Sequence, residues 1–251
     1  MGRILETSAH SVGRRTIFGA WAAVSVLHVF IVEAIVGSAW AGPMPYNPVA
    51  QVVSDLGAVR CGVHNGHLVC SPLHTVMNVS FELQGLAMIL GGLLLSSTLL
   101  GIAGKRPGAE PQLLAAHWSR ALLMVCGLGV ILVGLFPEDV VPGLHYTGAA
   151  LFFGAGSLAQ LLLWWIWWKR SPASWVLLSC GVISVAATVV LSVCVFWLKL
   201  PGFPTGLVER LIVYPVILGF AAAGLTIARG LSRPRRRRLR RSGQRSPQTS
   251  A

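Results

Sequence analysis

The sequence predicts an all-α fold, a polytopic bundle of six transmembrane helices with both termini in the cytoplasm, and three observations lead there. Hydrophobic residues make up 54% of the 251-residue chain, charged residues only 11%, and mean hydropathy is +0.69, a balance that suits lipid rather than water as the solvent. The apolar residues gather into six long runs with short polar punctuation between them. Lysine and arginine crowd the N-terminus, alternate loops and the C-terminal tail. A hydrocarbon core about 30 Å thick needs about 20 apolar residues per helix, because without water every backbone N–H and C=O must bond within its own segment.

The runs are Ile17–Trp40, His74–Leu100, Leu114–Phe136, Leu144–Trp167, Trp175–Leu198 and Leu207–Ile227. They divide the chain into a cytoplasmic N-terminal segment (1–16), a transmembrane domain (17–227) with a long outer loop at 41–73, and a basic tail (228–251) expected to be disordered from Ser242 onward. The first run follows Arg14-Arg15 and precedes Ala39-Trp40-Ala41, the outline of a cleaved export signal. It exceeds the usual signal core and contains His28 and Glu33, so it is expected to stay as a span.

With the N-terminus inside, Arg3, Arg14, Arg15, Lys105, Arg106, Arg120, Lys169, Arg170 and the arginines from Arg229 to Arg245 are cytoplasmic, leaving Arg60, Lys199 and Arg210 outside. Basic residues near span ends are retained on the cytoplasmic side, which selects this topology, and a plasma (inner) membrane, multi-pass location follows as the expectation. The run Arg233–Arg241 suits phosphates, but it has no aromatic residue to stack bases. The bilayer's anionic lipid headgroups are the partner expected for it, and not nucleic acid.

The outer loop holds Cys61, His64, His67 and Cys70 at three-residue spacing, which at first suggests zinc. Asn65-Gly66 is a strong hairpin signal, and a turn there pairs His64 with His67 and Cys61 with Cys70. Side chains alternate faces along a strand, so the cysteines point away from the histidines and a common metal site is not expected. Cys61 and Cys70 become a non-hydrogen-bonded pair with Cα atoms about 4.5–5.5 Å apart, which suits a disulfide. Cys126, Cys180 and Cys194 fall in helices and are expected to be packing residues.

Ionisable groups within hydrocarbon need partners or water. His74, Asn78 and Glu82 recur at four-residue spacing and share one helical stripe. Glu82 lies about 12 Å below the outer end of its helix and Glu33 about 10 Å below the end of its own, a matched depth. Glu138, Asp139 and His145 cluster around the start of the fourth span, Glu209 and Arg210 at the start of the sixth, and Asp55 in the outer loop. Glu138, Asp139 and Glu209 also suit helix caps, and Glu82 with Asn78 also suits a purely structural bond. His28, near mid-membrane, fits a helix interface or a cavity wall equally. Gly127, Gly129, Gly154 and Gly156, and the stripe Ser184, Thr188, Ser192, point to close helix packing. Pro215 is expected to bend the last helix.

Tyr46-Asn47-Pro48, Ser54-Asp55-Leu56-Gly57, Met77-Asn78-Val79-Ser80-Phe81, Gly134-Leu135-Phe136-Pro137-Glu138-Asp139, His145 and Gly206-Leu207-Val208-Glu209-Arg210 follow one another along the chain. In these spaced motifs, from about Tyr46 to Ile227, the sequence resembles the prokaryotic six-helix membrane family catalogued as domain of unknown function 998. The Ser-Asp-Leu-Gly stretch is also faintly similar to eukaryotic DRAM and Frag-type six-span proteins. The resemblance implies an architecture and motif positions, with no activity attached.

The function expected is binding of a lipid or small molecule in a polar cavity of the outer leaflet, formed by Asp55, His74, Asn78, Glu82, Glu138, His145, Glu209 and Arg210. Asp55, Glu82 and His145 would exchange protons or bind metal, and Arg210 would hold an anionic headgroup. An intramembrane hydrolase, metal-dependent or built on Ser54, and a proton-coupled transporter using Glu33 and Glu82 stay open beside it. No cofactor is indicated, and no phosphate-binding loop, nucleophile elbow or zinc-protease signature is present.

Overall fold

The computed structural model describes residues 2–64, 66–95, 110–169 and 171–243. The far end of the second expected span, residues 104–107, Asn65 of the hairpin turn and the last residues of the tail lie outside the described residues. Helices α1 (Gly2–Ser25) and α2 (His28–Ser38) follow one another with a break at residues 26–27. A short 3-10 turn (Ser54–Gly57) and the strands β1 (Gly62–His64) and β2 (His67–Val69) precede α3 (His74–Leu94), α4 (Glu110–Leu135), α5 (Pro142–Trp167), α6 (Ala173–Ser192) and α7 (Thr205–Gly243). A one-turn π-helix at Val193–Trp197 ends α6.

Six stretches are long and apolar enough to cross a membrane: Arg14–Ser38, His74–Leu94, Pro111–Leu135, Pro142–Trp167, Ala173–Val195 and Thr205–Arg229. They coincide with the six runs read from the sequence. α1 and α2 together make the first span, and at their junction His28 Nδ1 meets the Ser25 carbonyl at 2.8 Å while Nε2 meets Ser80 O of α3 at 3.2 Å. That histidine is therefore an interface residue. α5 opens with Pro142, whose missing N–H is harmless in a first turn. α7 stays helical through Pro215 and beyond its span to Gly243. Gln160 of α5 donates to the Pro215 and Val216 carbonyls at 3.0 and 2.9 Å.

The helices pack as a closed ring in chain order: α1 and α2 against α3, α3 on α4, α4 on α5, α5 on α6, α6 on α7, and α7 back on α1. Met88, Leu163, Trp167, Ile217 and Phe220 are fully buried at its centre. Ile31, Ile35, Leu83, Leu90, Val189 and Leu218 remain exposed on its outside, an apolar belt stable only against acyl chains.

Small residues set the spacing, since helices in lipid associate by close packing. A Cβ on Gly129 of α4 or on Gly148 of α5 would lie 2.6 Å from the other residue's carbonyl oxygen. Gly127 and Gly156 are similarly hemmed in, whereas Gly154 faces no neighbour within 4 Å and plays no part in packing, contrary to the sequence expectation. Of the stripe on α6 only Ser184 reaches other helices among the described residues: its Oγ donates to Ile212 O at 3.0 Å and receives Ser157 Oγ at 2.8 Å, while Thr188 and Ser192 donate to carbonyls of their own helix. Gly129→Val is expected to cost about 1–3 kcal/mol by forcing α4 and α5 apart, measured as thermal denaturation in detergent.

The hairpin has the register expected from its turn, with Gly62 opposite Val69, Val63 opposite Leu68 and His64 opposite His67. Cys61 and Cys70 form a disulfide with Cα atoms 4.3 Å apart. Their sulfurs are thus joined to each other.

Candidate functional site

The loop between α2 and α3 carries its own polar core down into the ring. Its Ser54–Gly57 turn is entirely buried, with Asp55 at 0% exposure. A buried turn must find partners for its backbone and polar groups, and here the helices supply them. Glu209 Oε2 of α7 accepts from Val53 N. Ser54 Oγ donates to Glu138 Oε2 at 3.0 Å, and Asn78 Nδ2 of α3 donates to Gly57 O at 2.9 Å. A Cβ on Gly57 would push aside the Asn78 side-chain amide that bonds its carbonyl. Asp139 takes the Val59 and Arg60 N–H groups at 3.1 and 2.8 Å.

Asp55 Oδ2 receives Val52 N at 3.1 Å and lies 2.8 Å from His67 Nε2 on the hairpin. Its Oδ1 and Glu138 Oε1 are both buried with no partner other than a carboxyl. Burial first, then a hydrogen bond and repulsion from Asp55, push Glu138 up to about 9. A protonated Glu138 is a donor, and Asp55 beside it is the acceptor. His145 closes the group, with Nδ1 on Phe136 O at 3.0 Å and Nε2 4.0 Å from Glu138 Oε2.

Four of the residues expected to share a site therefore converge: Asp55, Glu138, His145 and Glu209. The space they enclose is smaller than a ligand. A cavity of about 30 Å³ lies among Ser54, Gln84, His145 and Glu209, room for one water, which Gln84 Nε2, otherwise without a partner among the described residues, would bind. Ser54 Oγ donates to the Glu138 carboxyl, and no imidazole hydrogen-bonds it among the described residues.

His74 Nδ1 takes the Ser71 carbonyl at 3.0 Å. Glu82 does not join the cluster; it is half-buried, packs its Cγ near Gly134, and has no hydrogen bond or ion pair among the described residues.

Arg210 belongs to a second network, centred on Glu33. Its Nη2 and Nε reach Glu33 Oε1 at 2.7 and 2.9 Å, and Nη1 takes the carbonyls of Pro48, Gln51 and Gly206 at 2.7, 2.8 and 3.0 Å. Nη2 also donates to Tyr46 Oη, and Tyr214 Oη bonds both Glu33 oxygens at 2.9 Å. All three guanidinium nitrogens are thereby engaged within the protein, so the headgroup-holding role expected for Arg210 is not available to it. Gly206 lets α7 approach closely enough, since a Cβ there would meet Pro48 O at 2.7 Å. Burial holds the Tyr46 hydroxyl above its ordinary range, with Arg210 opposing.

Beside this network runs an open groove of about 870 Å³. Phe30, Glu33, Ala34, Gly37 and Ser38 form one side, and Trp40, Tyr46 and Tyr214 complete it with Gly42-Pro43-Met44-Pro45 and Pro48. The helical side repeats at three- and four-residue intervals, so the groove descends one face of α2 for about 12 Å, from eight residues at about 1.5 Å each. Sequence reasoning noticed Glu33 only by its depth. Tyr214 was legible as the residue one turn beyond Arg210 on the same face; Tyr46 stood out only as part of the Tyr46-Asn47-Pro48 motif, and Gln51 carried no comparable signal.

No curated protein and no solved structure matches the chain. A family model described as "Protein of unknown function (DUF998)" matches residues 23–226. That stretch covers four spans whole and most of the first and sixth, together with the buried turn and both networks, and the chain belongs to this DUF998 family.

Proposed function

We propose that this membrane protein binds an amphiphile with an ammonium headgroup, a lipid or lipid-like small molecule, in the groove beside Glu33. One observation carries the reading: a carboxylate and four aromatic rings, those of Phe30, Trp40, Tyr46 and Tyr214, line a groove that runs from the loop down the face of a membrane span. The side-chain hydroxyls there are already donating, Tyr214 to Glu33, Tyr46 to Val52 O and Ser38 to Ile35 O. Pro43, Pro45 and Pro48 have no N–H to offer. Trp40 Nε1 is a donor without a partner among the described residues and Arg210 already lies over the Tyr46 ring; the other side chains leave a ligand acceptors and the π faces of Phe30, Trp40 and Tyr214, surroundings that favour a cation. A descending, partly apolar groove suits an alkyl chain below that headgroup.

The excess of arginine on the opposite side supports a hairpin face turned outward from a plasma membrane, with residues 228–251 against anionic headgroups within. The groove then opens in the outer leaflet.

Ala34 is exposed on the groove wall, so Ala34→Phe fills the groove without touching the Glu33–Arg210 network. Purified protein in maltoside micelles is expected to retain dodecyltrimethylammonium in native mass spectrometry more strongly than dodecanoate. The Ala34→Phe variant is expected to lose that preference. Equal retention of the two probes, or a variant that binds like the parent, removes the proposal.

A further inference from the structure

A second groove, of about 600 Å³, lies between the hairpin, the segment 43–51 and the connection from α6 to α7. It shares the wall Pro43-Met44-Pro45 with the first groove, yet its chemistry is the reverse. No carboxylate lines it, and its polar side chains include Lys199, Asn47, Gln51 and His67.

The two amides are oriented by the backbone. Asn47 Oδ1 accepts Val49 N at 3.0 Å, and Gln51 Oε1 accepts Asn47 N at 2.7 Å. These bonds turn each oxygen toward the backbone, and the other end of each amide is its NH2 group, a pure donor. Neither NH2 group, nor the Lys199 ammonium, has a partner among the described residues. Lys199 is also held at φ 47°, in the left-handed region that non-glycine residues rarely adopt. Such an outlier persists where the surrounding structure requires it.

We infer that this groove is an oxyanion site, taking a phosphate or carboxylate group on Lys199, Asn47 and Gln51. A charged donor and two amide NH2 groups, free of any competing carboxylate, are the set that recognises such a group. The site is independent of the ammonium groove, since none of these three side chains lines the latter.

Three variants test it without dismantling the loop. Lys199→Asn removes the charge and leaves a residue that tolerates left-handed backbone. Asn47→Asp and Gln51→Glu keep the oxygens that accept Val49 N and Asn47 N and replace each NH2 by a negative charge. Full-length protein in maltoside micelles is titrated with inorganic phosphate by isothermal calorimetry. The parent is expected to bind, and each variant to bind about tenfold more weakly or worse, the effect of losing one charge-assisted hydrogen bond. Adding phosphatidylglycerol to the micelles separates the sources: competition with phosphate assigns the site to a lipid headgroup, and undiminished phosphate binding assigns it to a soluble anion. A parent that does not bind phosphate, or variants that bind it as the parent does, overturns the site.

Discussion

Arg210→Met is expected to prevent accumulation of folded protein. Arg210 is 6% exposed and Glu33 8%, and removing one member of a buried pair leaves the other charge without compensation, at about 3–5 kcal/mol. The loop carbonyls of Pro48 and Gln51 lose their donor at the same time, each a further penalty of about 1–3 kcal/mol where water cannot reach. Together these approach the whole stability of a typical domain, about 5–15 kcal/mol. The double variant Glu33→Leu with Arg210→Met removes both charges and is expected to recover part of the loss. Fluorescence-detected size exclusion and thermal melting of the solubilised protein measure both; a single variant that melts with the parent removes the argument.

Glu138→Gln is expected to flatten the dependence of stability on pH. The folded protein keeps the Glu138 proton up to about 9, whereas an ordinary carboxyl has lost it far below that. Between those values the unfolded chain binds fewer protons than the folded one, so stability falls as pH rises. The contribution is complete below the ordinary carboxylate range and is lost by the time pH has passed about 9. Glutamine is permanently neutral and can donate to Asp55 as protonated Glu138 does, so the variant is expected to melt at nearly the same temperature as the parent in acid and above it in alkali. Parallel melting curves for parent and variant across this range contradict a proton held at Glu138.

The spans were legible because lipid imposes a length and a hydropathy on every helix, and the hairpin because Asn65-Gly66 fixes its register. The convergence of Asp55, Glu138, His145 and Glu209 was also legible, since ionisable groups near one membrane surface have few other partners. What pattern could not supply was the filling of that space. A wet cavity was expected, yet the loop inserts its own turn and answers each carboxylate with a backbone N–H, a hydroxyl or an imidazole. Glu82 shared a stripe with Asn78 in sequence but not its partners, because one turn further down the loop is out of reach. Arg210 was read as a ligand-binding cation because its place at the start of a span was visible, while the carboxylate it meets lies 177 positions earlier in the chain.

The ring closes where the last helix meets the first, and the Glu33–Arg210 bond sits on that seam. During synthesis the first span must therefore enter the bilayer long before its counter-ion exists. A nascent chain lacking the sixth span carries that carboxylate without its counter-ion, at the cost an unpaired charge has in hydrocarbon.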